Sequence, residues 1–220
     1  MDNFISLDLL FRWAHVLFGI TWIGLLYYFN FIQTEYFKEA EASAKADAVK
    51  KLAPRALWWF RWGAMFTFLS GVVLLELVRQ GWGWDSYLIM GATLGTLMFL
   101  NVWLIIWPNQ KIVCGISPGD AAAAAPKAGV ASRTNTLFSA SMLIGMLGSA
   151  NHGGGEAASV LVSSAGSNAP GLGLWIVLAI TAALQLNAMF GKPGPMTTVK
   201  GVIHCSIALA VAFVAILQFV

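Results

Sequence analysis

Long apolar runs alternate with short polar segments along the whole chain. A run of about 20 apolar residues is long enough for a helix to cross a bilayer, and six segments of the chain follow this pattern. An even number of spans puts both termini on the same side of the membrane. The pattern therefore predicts an all-α integral membrane protein, one bundle over 1–220, with spans at about 9–33, 57–79, 86–107, 134–151, 172–190 and 201–220.

The Lys and Arg residues predict the orientation of this bundle. Arg12 and Arg79 are the two that fall on the side of the termini. Cytoplasmic loops carry an excess of Lys and Arg, so both termini are predicted to be periplasmic. The other eleven of the 13 fall on the opposite side, at Lys38, Lys45, Lys50, Lys51, Arg55, Arg61, Lys111, Lys127, Arg133, Lys192 and Lys200.

The cytoplasmic segment 34–56 is rich in alanine and charged residues. Glu41 and Lys45 are spaced i,i+4, and Asp47 precedes two further lysines, which is the spacing of ion pairs on a solvated helix. Proline disrupts a helix interior, so this helix is predicted to stop near Pro54. The 115–130 segment, with two prolines, is predicted to be a linker with about one helical turn.

Composition narrows the class of protein further. The chain of 220 residues is 58% hydrophobic and 10% charged, against about 25% charged in soluble domains, and its mean hydropathy is +0.73. We therefore expect its main partner to be the lipid bilayer. The net charge of +3 comes from loop residues that form no basic aromatic face, so we expect no nucleic-acid binding.

Three histidines are the candidates for chemistry within the spans. His15 falls in the outer half of the first span, His152 at the outer end of the fourth and His204 near the inner end of the sixth. An ionisable residue in a span is costly and suggests function. His15 and His152 share a leaflet, so they are candidate axial ligands of a haem b iron, and His204 is a further metal candidate. The alternative is that each histidine bonds a neighbouring helix or interfacial water.

The residues around His15 suit a flat cofactor. At helical spacing Arg12, His15, Gly19 and Trp22 share one face of the first span. Gly19 would leave room for a macrocycle beside the histidine, and Arg12 is a candidate partner for haem propionates. The alternative for Arg12 is that it extends to the interface as an ordinary flanking arginine.

A stripe of small residues leads to His152 in the fourth span. Ser141, Gly145, Gly148 and His152 fall on one helical face. Such a stripe suits the edge of a porphyrin, with Gly145 and Gly148 as cofactor-binding residues. It equally suits close helix packing without a cofactor, because small residues let membrane helices approach one another.

Other polar residues have simpler interpretations. Arg79, like Arg12, is a candidate partner for haem propionates or an anionic substrate. The simpler interpretation is an i,i+3 ion pair between Glu76 and Arg79. Arg61 lies among tryptophans and is predicted to anchor the second span at the interface. Asn101, Gln185 and Asn187 are predicted to hydrogen-bond between helices.

Four segments together resemble the membrane domain of the bacterial cytochrome-linked urate oxidase (urate hydroxylase) family. They are RWAHVLFGITWIG at 12–24, WFRWGAMFTFLSG at 59–71, NVWLIIWPNQK at 101–111 and ASRTNTLFSASML at 131–143. The resemblance implies a multi-pass protein of the bacterial inner membrane that oxidises urate toward 5-hydroxyisourate and passes electrons to a cytochrome c. Typical members carry that cytochrome fused at the C-terminus. This sequence contains no C-x-x-C-H motif, so a separate cytochrome c is expected.

The resemblance points to Arg12, His15, Asn101, Arg133, Asn135 and His152. Arg133 and Asn135 begin the fourth span, where they are expected to cap and anchor it.

Two functions remain open from the sequence. The first is a redox protein that passes electrons from urate or a similar donor, through haem b, to a separate cytochrome c. The second is a non-catalytic accessory or scaffold subunit of a larger membrane complex. A transporter would need paired charges or broken helices near the midplane, and the predicted spans offer little of either.

Overall fold

The computed structural model describes residues 6–81, 84–152 and 171–220, except for the side chains of 81 and 150–152. Within these residues the chain is helical and contains no strand. Six long helices account for nearly all of it, namely α1 (Leu7–Glu39), α2 (Ala42–Gln80), α3 (Ser86–Val113), α4 (Ala121–His152), α5 (Leu172–Phe190) and α6 (Val199–Phe219). The predicted all-α class is confirmed.

Five of these helices are long and apolar enough to cross a membrane, by length and composition: α1, α2, α3, α5 and α6. Helix α4 is also long enough, but its first half is alanine-rich and carries several polar residues. The chain is therefore consistent with a multi-pass membrane protein of five to six spans.

The segment between the first two spans is more helical than expected. Helix α1 continues to Glu39, Ala40 is extended, and α2 begins at Ala42 and runs through Pro54. The predicted stop near Pro54 is therefore wrong. A wider π turn at Ala48–Leu52 ends two residues before Pro54 and includes its i−4 residue. This turn relaxes the i−4 geometry with which a proline ring clashes. The predicted Asp47–Lys51 ion pair is present.

Helix α4 begins at Ala121, inside the segment that was predicted to be a linker. The Asp120 carboxylate accepts a hydrogen bond of 2.8 Å from the Ala122 amide, which caps the new helix. The alanines that follow have the highest helix propensity. These local preferences establish the helix before Pro126 is reached, so the proline does not end it.

Chain contacts divide the protein into two compact units, Met1–Leu74 with Met98–Thr136 and Leu75–Leu97 with Leu137–Val220. In the first unit each helix contacts the next. His15 on α1 meets Ser70 on α2, Phe68 on α2 stacks on Phe99 of α3 at 4.2 Å, and Asn101 on α3 bonds Asn135 on α4. Asn30 on α1 bonds Ser132 on α4 and closes the ring. The first unit is thus a four-helix bundle.

The second unit is held by contacts among the start of α3, the end of α4, and helices α5 and α6. Ser149 donates to Asp85 at 2.6 Å, and Gln218 donates to the Tyr87 hydroxyl at 2.9 Å. The Ser206 hydroxyl on α6 donates to the Leu137 carbonyl on α4 at 3.0 Å. These bonds join polar groups on different helices, so the groups have hydrogen-bond partners within the protein.

Three of the long helices contain a π turn. These turns lie at Tyr28–Gln33 in α1, Ala48–Leu52 in α2 and Asn101–Ile106 in α3. A π turn costs energy relative to a regular helix and occurs frequently at functional sites. The turns in α1 and α3 carry the buried amides Asn30 and Asn101, so they bring polar side chains into the first unit.

Candidate functional site

His15 is held by helix α2 through one ring nitrogen. Its Nδ1 lies 3.1 Å from the Ser70 hydroxyl oxygen. The Ser70 hydroxyl donates its own hydrogen to a backbone carbonyl, that of Phe66 at 2.6 Å. A hydroxyl has a single hydrogen, so when Ser70 donates to Phe66 its oxygen accepts from His15 Nδ1–H. In that tautomer the ring proton is on Nδ1 and the lone pair is on Nε2.

The imidazole ring of His15 packs against Gly71, the residue that follows Ser70 on α2. A methyl carbon on Gly71 would lie 3.0 Å from His15 Cε1 and 3.4 Å from Nδ1, which is too close without a shift of the ring. Among the described atoms, Nε2 is not within 4 Å of that position. The ring thus meets α2 by its Nδ1–Cε1 edge, and Nε2 points away from Gly71.

A histidine held in this way could ligate a cofactor metal through Nε2. A metal-ligating histidine usually donates its second ring N–H to a nearby acceptor, which fixes the tautomer and the ring orientation. His15 is the one histidine in the sequence of the first unit. Of the other two histidines, the His152 side chain lies outside the described residues and His204 is exposed. In the described part of the chain, no group of three or more His, Cys, Asp or Glu residues could hold a bare metal ion.

The other candidate residues on the His15 face of α1 are Gly19, Arg12 and Trp22, and each has different surroundings. Gly19 has room beside it, because a methyl carbon there would touch only Thr67 Cγ2, at 3.9 Å, within the described chain. Arg12 forms an ion pair with Asp8 at 2.7 Å. The guanidinium that was predicted to bind haem propionates therefore already has a carboxylate partner on its own helix. Trp22 is 2% exposed, and its indole N–H has no hydrogen-bond partner among the described residues.

The small-residue stripe of α4 is in contact with helix α3. A methyl carbon on Gly145 would lie 2.8 Å from Gly91 Cα and 2.8 Å from the Tyr87 carbonyl oxygen. One on Gly148 would lie 2.6 Å from the Tyr87 ring. The backbones of α3 and α4 touch at Gly145, and the Tyr87 ring lies against Gly148, which leaves no gap at either glycine for a porphyrin edge. The geometry is that of close helix packing.

Two buried asparagines, Asn101 and Asn135, form a polar contact in the first unit, and only Asn101 was predicted to bond between helices. The Asn101 amide donates to Asn135 Oδ1 at 2.8 Å, and the Asn135 amide donates to the Met98 carbonyl at 2.9 Å. The predicted interhelical role of Asn101 is therefore confirmed. Asn135 is completely buried, so the prediction that it caps or anchors the fourth span is wrong.

Arg133 is the second residue that the sequence placed wrongly. It is 8% exposed, whereas an interfacial anchor would extend into the headgroup region. Its Nη1 has no hydrogen-bond partner among the described residues. The run of five polar residues at 132–136 contained the necessary signal. A helix turns about 100° per residue, so five successive polar side chains cannot all avoid the core.

The simpler polar predictions have mixed outcomes. Arg79 and Glu76 form the expected ion pair, at 2.7 Å. The Arg61 guanidinium lies 3.8 Å from the centre of the Trp107 ring on α3, a cation–π contact. Asn187 donates to the Lys192 carbonyl at 3.3 Å, a bond made just past the end of its own helix and not between helices.

Comparisons of the chain with protein-family models, with curated proteins and with solved structures find no match. The likeness to the urate oxidase membrane domain therefore rests on the four sequence segments alone.

Proposed function

We propose that this chain is a redox protein of the bacterial inner membrane in which His15 provides one axial ligand to haem b. The observation that carries the proposal is the 3.1 Å contact between His15 Nδ1 and the Ser70 hydroxyl, because a proton on Nδ1 leaves Nε2 to ligate the iron. When bound, haem b supplies one-electron transfer. By resemblance, the electron donor is urate or a similar compound and the acceptor is a separate cytochrome c.

The residues around His15 have defined tasks in this proposal. Ser70 fixes the tautomer and holds the ring, and Gly71 provides the space in which the ring lies. A hydrogen bond to Nδ1–H also makes Nε2 a better electron donor to a metal. Gly19, one turn along α1, keeps the face beside the ring open.

An absorption spectrum tests the proposal directly. We expect the detergent-purified protein to show a b-type α-band after reduction by dithionite. His15→Ala should abolish that band, because an alanine leaves the iron without this ligand. His204→Ala serves as the control and should retain the band, since His204 is exposed and is not part of the first unit.

Two results would contradict the assignment. One is a wild-type protein that folds but shows no haem band under either redox condition. The other is a His15→Ala protein with an unchanged spectrum. Imidazole added to His15→Gly should restore the band in part, because it can occupy the space and coordinate in place of the side chain.

The packing of Gly145 and Gly148 favours a second candidate, an accessory subunit without a cofactor. The face of α4 that was predicted to border a porphyrin is occupied by Gly91 and Tyr87. This candidate predicts purification without haem and together with other subunits of a membrane complex. A haem-loaded protein that is reduced by urate in the absence of other subunits would exclude it.

We also propose that both termini are periplasmic, on the basis of the Lys and Arg distribution.

Cys114 follows helix α3 at its predicted cytoplasmic end. Burial raises the pKa of the Cys114 thiol, and the thiolate is the reactive form. The Cys205→Ser substitution leaves Cys114 as the one cysteine of the sequence. In inside-out vesicles of this variant, a membrane-impermeant maleimide should label Cys114 slowly. The labelling rate should rise about tenfold per pH unit below the pKa of the thiol. Labelling of Cys114 in right-side-out vesicles but not in inside-out vesicles would reverse the proposed orientation.

A further inference from the structure

Two cations from different helices of the first unit meet at one aromatic ring. The guanidinium carbon of Arg61 on α2 lies 3.8 Å from the centre of the Trp107 ring on α3. The Nζ atom of Lys111 lies 5.8 Å from the centre of the same ring. The two charges are therefore no farther apart than the sum of these distances, although like charges repel each other. Positive charge is thus concentrated at the predicted cytoplasmic ends of the second and third spans.

No carboxylate in the described part of the chain neutralises this pair of charges. Neither Arg61 nor Lys111 forms an ion pair there, and both side chains are partly exposed. The Nε atom of Arg61 is buried, so its Nη groups are the donors left for a ligand. Stacking on Trp107 fixes the plane of the guanidinium. The site therefore offers an anion two positive groups, one of which is held in a defined orientation.

Exposed apolar side chains precede these cations on both helices. Trp58 and Trp59 on α2 are exposed, and their ring centres lie 5.0 Å apart. Leu100 and Leu104, which precede Trp107 on α3, are also exposed. Tryptophan is enriched at the level of the lipid headgroups, and exposed leucines on a span suit contact with acyl chains. A ligand that carries both a negative charge and acyl chains matches these surroundings, whereas a soluble anion would use the two cations alone.

We propose that Arg61 and Lys111 bind the phosphate of an anionic phospholipid, of which phosphatidylglycerol is the simplest example. Basic pockets between membrane helices on the cytoplasmic side bind anionic lipid headgroups. The phosphate oxygens accept from the Arg61 Nη groups, and Lys111 supplies the second positive charge. A zwitterionic lipid carries the same phosphate together with a cation of its own, which both side chains repel. The site uses none of the residues at His15 and does not depend on haem.

Phosphatidylglycerol and phosphatidylcholine with the same acyl chains form a matched pair of probes. The assay is the thermal unfolding midpoint of the full-length, delipidated protein in detergent at about 0.15 M salt, titrated with either lipid. Ligands that bind only the folded state raise this midpoint with concentration. We expect phosphatidylglycerol to bind about fivefold more tightly than phosphatidylcholine. Glycerol 3-phosphate, which has a phosphate and no acyl chains, should leave the midpoint unchanged at the same concentrations.

Substitutions of single charges separate this site from a general attraction to basic residues. Arg61→Gln and Lys111→Gln should each weaken phosphatidylglycerol binding about fivefold, and the double variant should bind the two lipids equally. Arg55→Gln is the matched control, since Arg55 is exposed on the same helix. It precedes Arg61 by about 9 Å along the helix axis, beyond the screening length of about 8 Å, so this variant should bind both lipids as the wild type does.

The proposal is overturned if the wild-type protein binds phosphatidylglycerol no more tightly than phosphatidylcholine. It is also overturned if Arg55→Gln weakens phosphatidylglycerol binding as much as Arg61→Gln does, because the attraction would then belong to the whole basic end of the bundle. A midpoint raised equally by glycerol 3-phosphate would indicate a site for soluble phosphates instead of lipid. If Arg61→Gln does not fold, Lys111→Gln and the lipid preference of the wild type still decide the matter.

Discussion

Gly145→Ala is expected to destabilise the protein by about 2 kcal/mol, although alanine is the better helix former. The new methyl carbon would lie 2.8 Å from Gly91 Cα and 2.9 Å from the Gly91 nitrogen. These are backbone atoms of α3, which cannot rotate away as a side chain can. The two helices would have to separate, and other contacts along their interface would be lost.

The same substitution elsewhere in α4 should have the opposite sign. Gly129 has no described atom within 4 Å of the position that a methyl carbon would take. Gly129→Ala should therefore stabilise the protein by up to about 1 kcal/mol through helix propensity. Unfolding by SDS, followed by circular dichroism, would give both values. Equal effects of the two variants would show that α3 and α4 are not in backbone contact at Gly145.

Asn135→Leu is the second substitution with a large expected effect, about 1.5 to 2 kcal/mol of lost stability. The substitution leaves the buried Asn101 amide without the acceptor that it has at 2.8 Å, and the Met98 carbonyl without its donor at 2.9 Å. An unsatisfied polar group cannot turn to solvent at a buried position. The same SDS unfolding measurement applies.

A double variant isolates the pair contribution. Asn101→Leu with Asn135→Leu replaces both amides by apolar groups, which removes the unpaired donor as well as its acceptor. Its loss of stability should be smaller than the sum of the two single losses. Additive losses would mean that the two amides do not interact in the folded protein.

The proposal at His15 uses a general rule for membrane proteins, that buried polar groups have hydrogen-bond partners or a functional role. His15 Nδ1 is in contact with the Ser70 hydroxyl at 3.1 Å, and we propose that Nε2 ligates the iron.

Some features of the chain could be predicted because they depend on local spacing or on composition. The all-α class follows from apolar runs of membrane-spanning length. The Glu76–Arg79 and Asp47–Lys51 ion pairs follow from the i,i+3 and i,i+4 geometry of a helix. Errors arose at Pro54 and Pro126, where proline was expected to stop a helix. A π turn in one case and a capped alanine run in the other outweigh that preference.

The sequence by itself determined the all-α class, the apolar character of the helices and the helical face on which each candidate residue lies. Only the tertiary structure decided what those faces meet. It placed His15 against Ser70, closed the Gly145 and Gly148 stripe with α3, and buried Arg133 and Asn135. The physical reason is that helix geometry fixes neighbours within about four residues, whereas burial depends on pairs such as Asn30 and Ser132, 102 residues apart, which are joined only by packing.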